Sequence, residues 1–459
     1  MLVHDMSLDS RFAEAMGQLL GPDFPTDIAL AVSGGGDSMA MLTLAHNWSH
    51  RWGVRLHVVT IDHGLRAGSA AEAQMVADEC KALGWPHTTL RWHWDGQGNV
   101  MDAARRARLD LIDRWRGVLC HVLMAHTADD VAETFVMRLM RGSGVEGLSA
   151  MAEARTVRMT GVRSAVPAAD ITGPLPSQGN PAKGVLTRPG SFHILRPCLG
   201  MRRDELRHYL KTLKGRWVED PTNEDPRYAR SRVRQFLQGG DWDIENLIST
   251  AQHMERASAA LRARAIDVHK TLVADLGQTS ALTGDILWDR ATFETVERDT
   301  QLRLLAGALQ FVSSAEYRPR FDPLEDLLDR VLAGGGGTLH GCEARAERDV
   351  IRVWREYAAV RDLTTEVGDG TLWDGRWRVF DSALRGASVR ALGEDGWAQI
   401  KEKPKAAPPF HAARSLPAIW QDDQVMACDA LGVGSGFTAS LWPMGRELFS
   451  FKAFLSGQS

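Results

Sequence analysis

Six consecutive residues, Ser33-Gly34-Gly35-Gly36-Asp37-Ser38, combine the groups needed to hold a polyphosphate. Glycines let successive backbone N–H groups converge on one anion, and a helix starting directly after them adds free N–H groups and its positive dipole end. Ser33 and Ser38 contribute hydroxyl donors. Asp37 is the unexpected member. A carboxylate beside a polyphosphate repels it unless a divalent cation lies between them, so Asp37 predicts Mg²⁺ bridging carboxylate and phosphate oxygens. The bland reading is a glycine-rich turn with Asp37 as a helix cap. The loop has neither the Gly-Lys-Ser/Thr of a Walker P-loop nor the G-x-G-x-x-G of dinucleotide folds. A second group is His126-Thr127-Ala128-Asp129-Asp130-Val131-Ala132-Glu133-Thr134. On a helix Asp129 and Glu133, four apart, and Asp130 and Glu133, three apart, share one side of the first turns. Thr127 as N-cap with Asp130 in the capping-box region accounts for one or two acids. Three acids and a histidine exceed what capping requires, and such a group is suited to hold Mg²⁺ or an incoming ammonium.

The surrounding chain supplies elements to position both groups. Asp27 to Val32 reads as a buried strand ending in the glycines, and Asp37 to His50 has the helical spacing of Met39, Leu42 and Leu44. Strand 54–61, helix 69–83, strand 87–92, helix 100–115, strand 118–125 and helix 128–140 continue the alternation. This pattern implies an α/β fold with a parallel, doubly wound sheet covered on both faces. Ligands of such sheets bind at the carboxyl ends of the strands, where both groups lie. Gly161 to Ser191, rich in Pro, Gly, Ala and Ser and without clear period, reads as a mobile surface insertion. Helices are predicted over 203–213, 242–276, 295–311 and 323–332, ending at Gly334–Gly337. From Thr338 the pattern alternates, which predicts a hairpin or small sheet, and the tail beyond reads as a small β-rich domain with a break near Lys401 to Pro409.

A length of 459 residues predicts two or three domains. Hydrophobic residues at 44% and charged residues at 24% are ordinary for a soluble protein. No stretch reads as a membrane span, and Asp5, Asp9, Arg11 and Glu14 near the start argue against a secretory signal. Five scattered cysteines without a C-x-x-C pair suggest neither a disulfide framework nor a zinc site, which fits a cytoplasmic setting. The net charge of −4 argues against a protein that coats nucleic acid. The segment from Arg202 to Arg234 nevertheless holds ten lysines and arginines. It reads either as a basic surface for one polyanion or as a solvated helix face.

The Ser33–Ser38 loop resembles the pyrophosphate loop of the N-type ATP pyrophosphatases, which split ATP between the α and β phosphates and transfer AMP to a substrate oxygen. With the acidic helix, and with Ile61-Asp62-His63-Gly64-Leu65-Arg66 between them, the chain resembles the tRNA(Ile)-lysidine synthetase family. Gly98-Asn99 leading to Arg105 and Arg108, Arg141-Gly142-Ser143-Gly144 and Leu195-Arg196-Pro197-Cys198-Leu199-Gly200 extend the likeness. So does Asp220-Pro221-Thr222-Asn223 with Arg227, Tyr228, Arg230 and Arg234. The likeness runs from about residue 27 to 235, and is fainter at Gly336 to Cys342 and in the C-terminal part. Val131 stands where the family commonly has glutamine, and Leu109 where it often has tyrosine.

The resemblance implies a Rossmann-like PP-loop catalytic domain over 1–240, a helical tRNA-binding domain over 241–335 and a small C-terminal α/β to β-rich domain over 336–459 that assists tRNA recognition. It implies that ATP adenylates the C2 carbonyl oxygen of the wobble cytidine in the CAU anticodon of tRNA(Ile), and that free L-lysine then displaces AMP through its ε-amine. Asp37, Arg105, Asp130, Glu133 and Arg196 would be catalytic. Ser33, Gly34, Gly35, Gly36, Asp37, Ser38, Asp62, His63 and His126 would hold the nucleotide, and Asp37 and Asp129 the Mg²⁺. Lysine has a resting pKa of ~10.4, so Asp130 or Glu133 is expected to position the ammonium and accept its proton. Arg105 and Arg196 are expected to neutralise the AMP phosphate and orient the cytidine. A homodimer is the candidate assembly, and no membrane partner is expected. A tRNA thiolase of the same nucleotide-binding fold, a small-molecule amidating ligase and a non-catalytic RNA-binding module are the competing readings. The missing cysteine pair argues against the first, the basic segment against the second and the two intact motifs against the third.

Overall fold

The computed structural model describes residues 6–64, 68–158, 166–177, 190–219, 225–273, 280–368, 371–379, 386–434, 439–445 and 450–457. Leu65 and Arg66, Asp220 to Asn223, and much of the Gly161–Ser191 stretch lie outside them. The chain divides into two compact units, Met1–Ser258 and Ala259–Ser459.

In the first unit α1 (Leu8–Leu20) leads to β1 (Asp27–Ala31), α2 (Gly36–Trp52), β2 (Arg55–Asp62), α3 (Ser69–Leu83), β3 (His87–Arg91), α4 (Val100–Trp115), β4 (His121–Met124) and α5 (Ala128–Leu139). After α6 (Val145–Leu148) come β5 (Ala154–Arg158), β6 (Ile171–Thr172), β7 (Ser191–Leu195), α7 (Arg203–Thr212), α8 (Ala229–Gln238) and α9 (Ile244–Leu272), whose residues after Ser258 belong to the second unit. The sheet order is β5-β7-β4-β1-β2-β3-β6. The core β7-β4-β1-β2-β3 is parallel. Side chains of β1 alternate as a two-residue period requires. Ile28 and Leu30 pack with α1 and α2 through Phe12, Met16, Met39 and Leu42. Ala29 packs on the opposite face with Ile112 and Trp115 of α4. Burying each such large apolar side chain stabilises the fold by about 1.5–3 kcal/mol.

Both sheet edges carry an antiparallel strand, β5 on β7 and β6 on β3. Strand β6 lies within the stretch that reads as a mobile insertion from sequence, and residues 166–177 correct that reading. Val166 is buried, the Val118 N–H donates to the Ser177 carbonyl at 2.9 Å, and His93 Nε2 meets Asp170 Oδ1 at 2.8 Å. A two-residue strand is too short to show any period, so these contacts leave no signal in the sequence.

The second unit contains α10 (Ser280–Thr283), β8 (Ile286–Asp289), α11 (Arg290–Glu294), α12 (Arg298–Ser313), α13 (Phe321–Leu332), β9 (Gly336–Leu339), β10 (Cys342–Ala346) and β11 (Val350–Arg355). An antiparallel sheet in the order β8-β11-β10-β9 shares one core with α12 and α13, built around Trp288, Leu304, Leu328 and Val353. Gly334, at φ +83°, ends the helical run, but Gly336 and Gly337 already belong to β9. A Cβ on Gly336 would lie 2.4 Å from the Ala344 carbonyl oxygen, so the strand pairing itself requires glycine there. Two further small antiparallel sheets follow, as the alternation of the tail predicts.

Candidate active site

The loops after β1 and β4 leave the same end of the sheet side by side, because these two strands are adjacent and parallel. A crevice of this kind is where open α/β sheets bind ligands. Ser33–Ser38 forms one wall. Gly34 has φ +87°, a conformation that favours glycine, and its carbonyl accepts from Val218 N–H at 2.9 Å. Ser38 Oγ accepts from Ser33 N–H at 3.2 Å and donates to the Gly35 carbonyl at 2.9 Å, which fixes the turn. Helix α2 begins at Gly36 with Asp37 in its first turn.

The other wall is the start of α5. Asp130 Oδ2 accepts from Thr127 N–H at 2.8 Å, the return half of a capping box. Helix α5 is held by an apolar face of Val131, Phe135 and Val136 against Val233 and Leu237 of α8. Its polar face carries the acids. Arg203, at the start of α7, joins both walls. Its Nε donates to Asp37 Oδ2 at 3.1 Å, Nη1 to Glu133 Oε1 at 2.9 Å and Nη2 to Asp130 Oδ1 at 2.9 Å. Arg230 donates to Asp130 and to Glu133, each at 2.7 Å, and Arg234 Nε donates to Glu133 at 2.9 Å. Glu133 thus serves three guanidinium groups, and its side chain is only 2% exposed. Burial opposes its ionisation, but Arg203, Arg230 and Arg234 prevail and hold the carboxyl down to about 2. Glu133 is therefore a strong fixed anion and a weak proton acceptor.

Asp37 is different. Burial, the largest influence, raises its carboxyl above the usual range, and Asp130 adds to this while Arg203 opposes it. Its Oδ1 is buried without a hydrogen-bond partner among the described residues. An orphaned carboxylate oxygen facing a phosphate loop fits a divalent cation. Asp129 fits less well, since its oxygens already accept from the Arg203 N–H at 2.8 Å and from Arg202 Nε and Nη2 at 3.2 and 3.3 Å. Among the described residues no group of three or more His, Cys, Asp or Glu side chains could hold a metal, so phosphate oxygens would have to supply the remaining ligands.

Asp62 ends β2 and His63 follows it, at the same carboxyl end of the sheet. Asp62 Oδ1 accepts from Gly64 N–H at 2.9 Å. His63 packs edge-on against Trp92 at 5.6 Å. Burial first, then Arg108, lowers its imidazole to about 4. His126 is likewise lowered to about 4 by burial. Both rings are neutral at pH 7, and each has a buried Nδ1 without a partner among the described residues. Arg105 and Arg108 lie on α4, whose N-cap Asn99 accepts from the N–H groups of Met101 and Asp102. Asn99→Ala is expected to cost about 1 kcal/mol and to speed amide exchange in the first turn of α4, readable by hydrogen exchange. Arg196 is buried directly after β7.

The basic surface expected from Arg202 to Arg234 takes a different form. Every arginine of the segment except Arg232 is paired with an acid, and the pairs of Arg203, Arg230 and Arg234 point into the crevice. Arg232 donates to the carbonyls of Pro226 and Arg227. Sequence reasoning thus missed Arg203 as the central cation, because only the fold brings α7 against α5. The five cysteines are free; burial pushes the thiols of Cys80, Cys342 and Cys428 up to about 12 and that of Cys198 higher still, which suits inert packing rather than sulfur transfer. Among the described residues no helix is long and apolar enough to cross a membrane.

Residues 8–239 match the model of the PP-loop domain. The tRNA(Ile)-lysidine synthase of Ruegeria pomeroyi is 36% identical over 91% of this chain and 91% of its own. That of Wolbachia pipientis wMel is 30% identical over 88% of each chain, and that of a Bradyrhizobium species 33% over 71% of this chain and 89% of its own. With this length of alignment and a PP-loop domain around its phosphate crevice, the chain belongs to the tRNA(Ile)-lysidine synthase family of ATP-using ligases.

Proposed function

We propose that the protein joins free L-lysine to C2 of the wobble cytidine in the CAU anticodon of tRNA(Ile). In the first step cytidine O2 bonds to the α-phosphorus of ATP, and pyrophosphate leaves. In the second the neutral ε-amine bonds to C2, the C2–O bond breaks, AMP leaves and the amine nitrogen gives up a proton. The observation that carries this reading is the joining of the phosphate loop to the acidic helix through Arg203. A nucleotide seat and an anionic pocket for an amine then share one crevice, as a two-step transfer requires.

Asp37, with phosphate oxygens, would hold Mg²⁺, which when bound neutralises charge on departing pyrophosphate. Ser33–Ser38, Asp62, His63 and His126 would border the nucleotide. Arg105 and Arg196 would face the α-phosphate. Asp130 and Glu133 supply the negative field that draws the ammonium, in competition with the guanidinium groups they now hold. Residues 241–335 and 336–459 would contribute tRNA recognition, and the chain is assigned to the cytoplasm. Mass spectrometry of tRNA(Ile) incubated with enzyme, ATP, Mg²⁺ and lysine tests the reading. The expected product gains the mass of lysine less one water at position 34, dependent on both ATP and lysine. A mass gain from sulfur, or none, would reject it.

A further inference from the structure

Arg203 reaches acids on two elements, so its three hydrogen bonds form only if the start of α7 is held in one place. Two devices hold it. The first belongs to the start of α5: Asp129 Oδ2 accepts from the Arg203 N–H at 2.8 Å, and the Ala128 N–H donates to the Met201 carbonyl at 2.9 Å. The second is Arg11 of α1. Its Nη1 donates to Glu205 Oε1 at 2.6 Å and its Nη2 to the Gly200 carbonyl at 2.5 Å. Glu205 Oε2 in turn accepts from the Arg202 N–H at 2.7 Å, which caps the first turn of α7. The Arg11 side chain is only 10% exposed.

The two acceptors of Arg11, Gly200 and Glu205, flank Arg203 in the chain. Attachment of α1 does not by itself require them. Phe12 and Met16 bury against α2, and Asp9 Oδ1 accepts from Asn47 of α2 at 2.9 Å and from the Tyr209 hydroxyl of α7 at 3.2 Å. A buried ion pair adds little stability, because desolvation opposes the attraction. It does fix geometry, since a planar guanidinium satisfies two acceptors in one orientation only. We propose that Arg11 is a positioning residue: through Glu205 and the Gly200 carbonyl it sets the start of α7, and with it the placement of Arg203 between the phosphate loop and the acidic helix. Its effect on turnover rests on the proposed function, whereas its effect on Arg203 does not.

The test is a double-variant cycle on the full chain. Glu133→Gln is made in wild type and in Arg11→Gln, and the folding equilibrium constants are measured by urea unfolding. Arg11 and Glu133 share no bond among the described residues, so coupling between them passes through Arg203. Glu133→Gln should lower the folding constant about tenfold less in the Arg11→Gln background than in wild type. Lysidine formation by Arg11→Gln should fall by roughly tenfold to a hundredfold. Tyr209→Phe loosens α1 from α7 away from the start of α7. Its effect should multiply independently with that of Glu133→Gln, and its lysidine formation should match wild type. If Arg11→Gln/Glu133→Gln does not fold, Glu205→Gln takes the place of Arg11→Gln, since its amide oxygen still accepts from the Arg202 N–H. Independent effects of the Arg11 and Glu133 changes would overturn the proposal. So would coupling equally strong in Tyr209→Phe, or coupling without loss of turnover. Wild-type protein that forms no lysidine while the cycle still shows coupling would overturn the proposed reaction and leave the positioning of Arg203 standing.

Discussion

Glu133→Gln is expected to destabilise the first unit by about 3 kcal/mol at pH 7. The isosteric amide preserves packing but leaves Arg203, Arg230 and Arg234 around a site without its anion. The folded carboxyl titrates at about 2, below its ordinary 4.5. Its contribution is therefore complete above the unfolded pKa and is lost as pH falls through the folded one. The gap between wild type and variant, measured by urea unfolding, should shrink by more than half between pH 7 and pH 3, and close near pH 2. Lysine ligation should fall as well, since Arg203 loses one of the anchors that hold it against Asp37. Equal stability of the two proteins at pH 7 would remove Glu133 from its structural role and return it to direct binding of the amine.

Asp37→Asn should have the opposite profile: pyrophosphate release with Mg²⁺ lower by roughly 10²–10³-fold and stability within about 1 kcal/mol of wild type. Burial raises the Asp37 carboxyl in the folded protein, so the native state binds more protons than the unfolded one above the ordinary value of 3.8. Its ionisation thus lowers stability as pH rises from there, and a neutral amide removes that cost. A charge kept where it costs stability, with one oxygen orphaned, points to a ligand. Pyrophosphate release and urea unfolding on the same preparation check both halves. Near-normal release would refute the cation assignment, and destabilisation matching that of Glu133→Gln would make Asp37 a structural residue like its neighbour.

The phosphate loop and the capped acidic helix were legible from the sequence because each is local. A strand, glycines and a helix start lie within a dozen residues, and Thr127 and Asp130 are three apart. The parallel core was legible too, since strands buried on both faces form apolar runs and amphipathic helices repeat at 3.6 residues. Helix α8 was missed because its sequence, ARSRVRQFLQ, is dominated by charge and offers only Val233 and Leu237 to a core. Strand β6 was missed because two residues carry no period.

The sequence by itself determined which residue types are present, which short stretch has the make-up of a phosphate loop, and that the chain belongs with ATP-using enzymes. Only the tertiary structure decided which charges meet. Arg203 is 70 positions from Glu133 and Arg230 is 97, separations over which composition says nothing of pairing. Within a run of arginines in sequence, Arg203, Arg230 and Arg234 turned into the crevice onto acids of α5, while Arg207, Arg216 and Arg227 stayed at exposed pairs. The reason is that charge is a property of residues, whereas electrostatic energy depends on distance and burial, and both are set by the packing of α5 against α8.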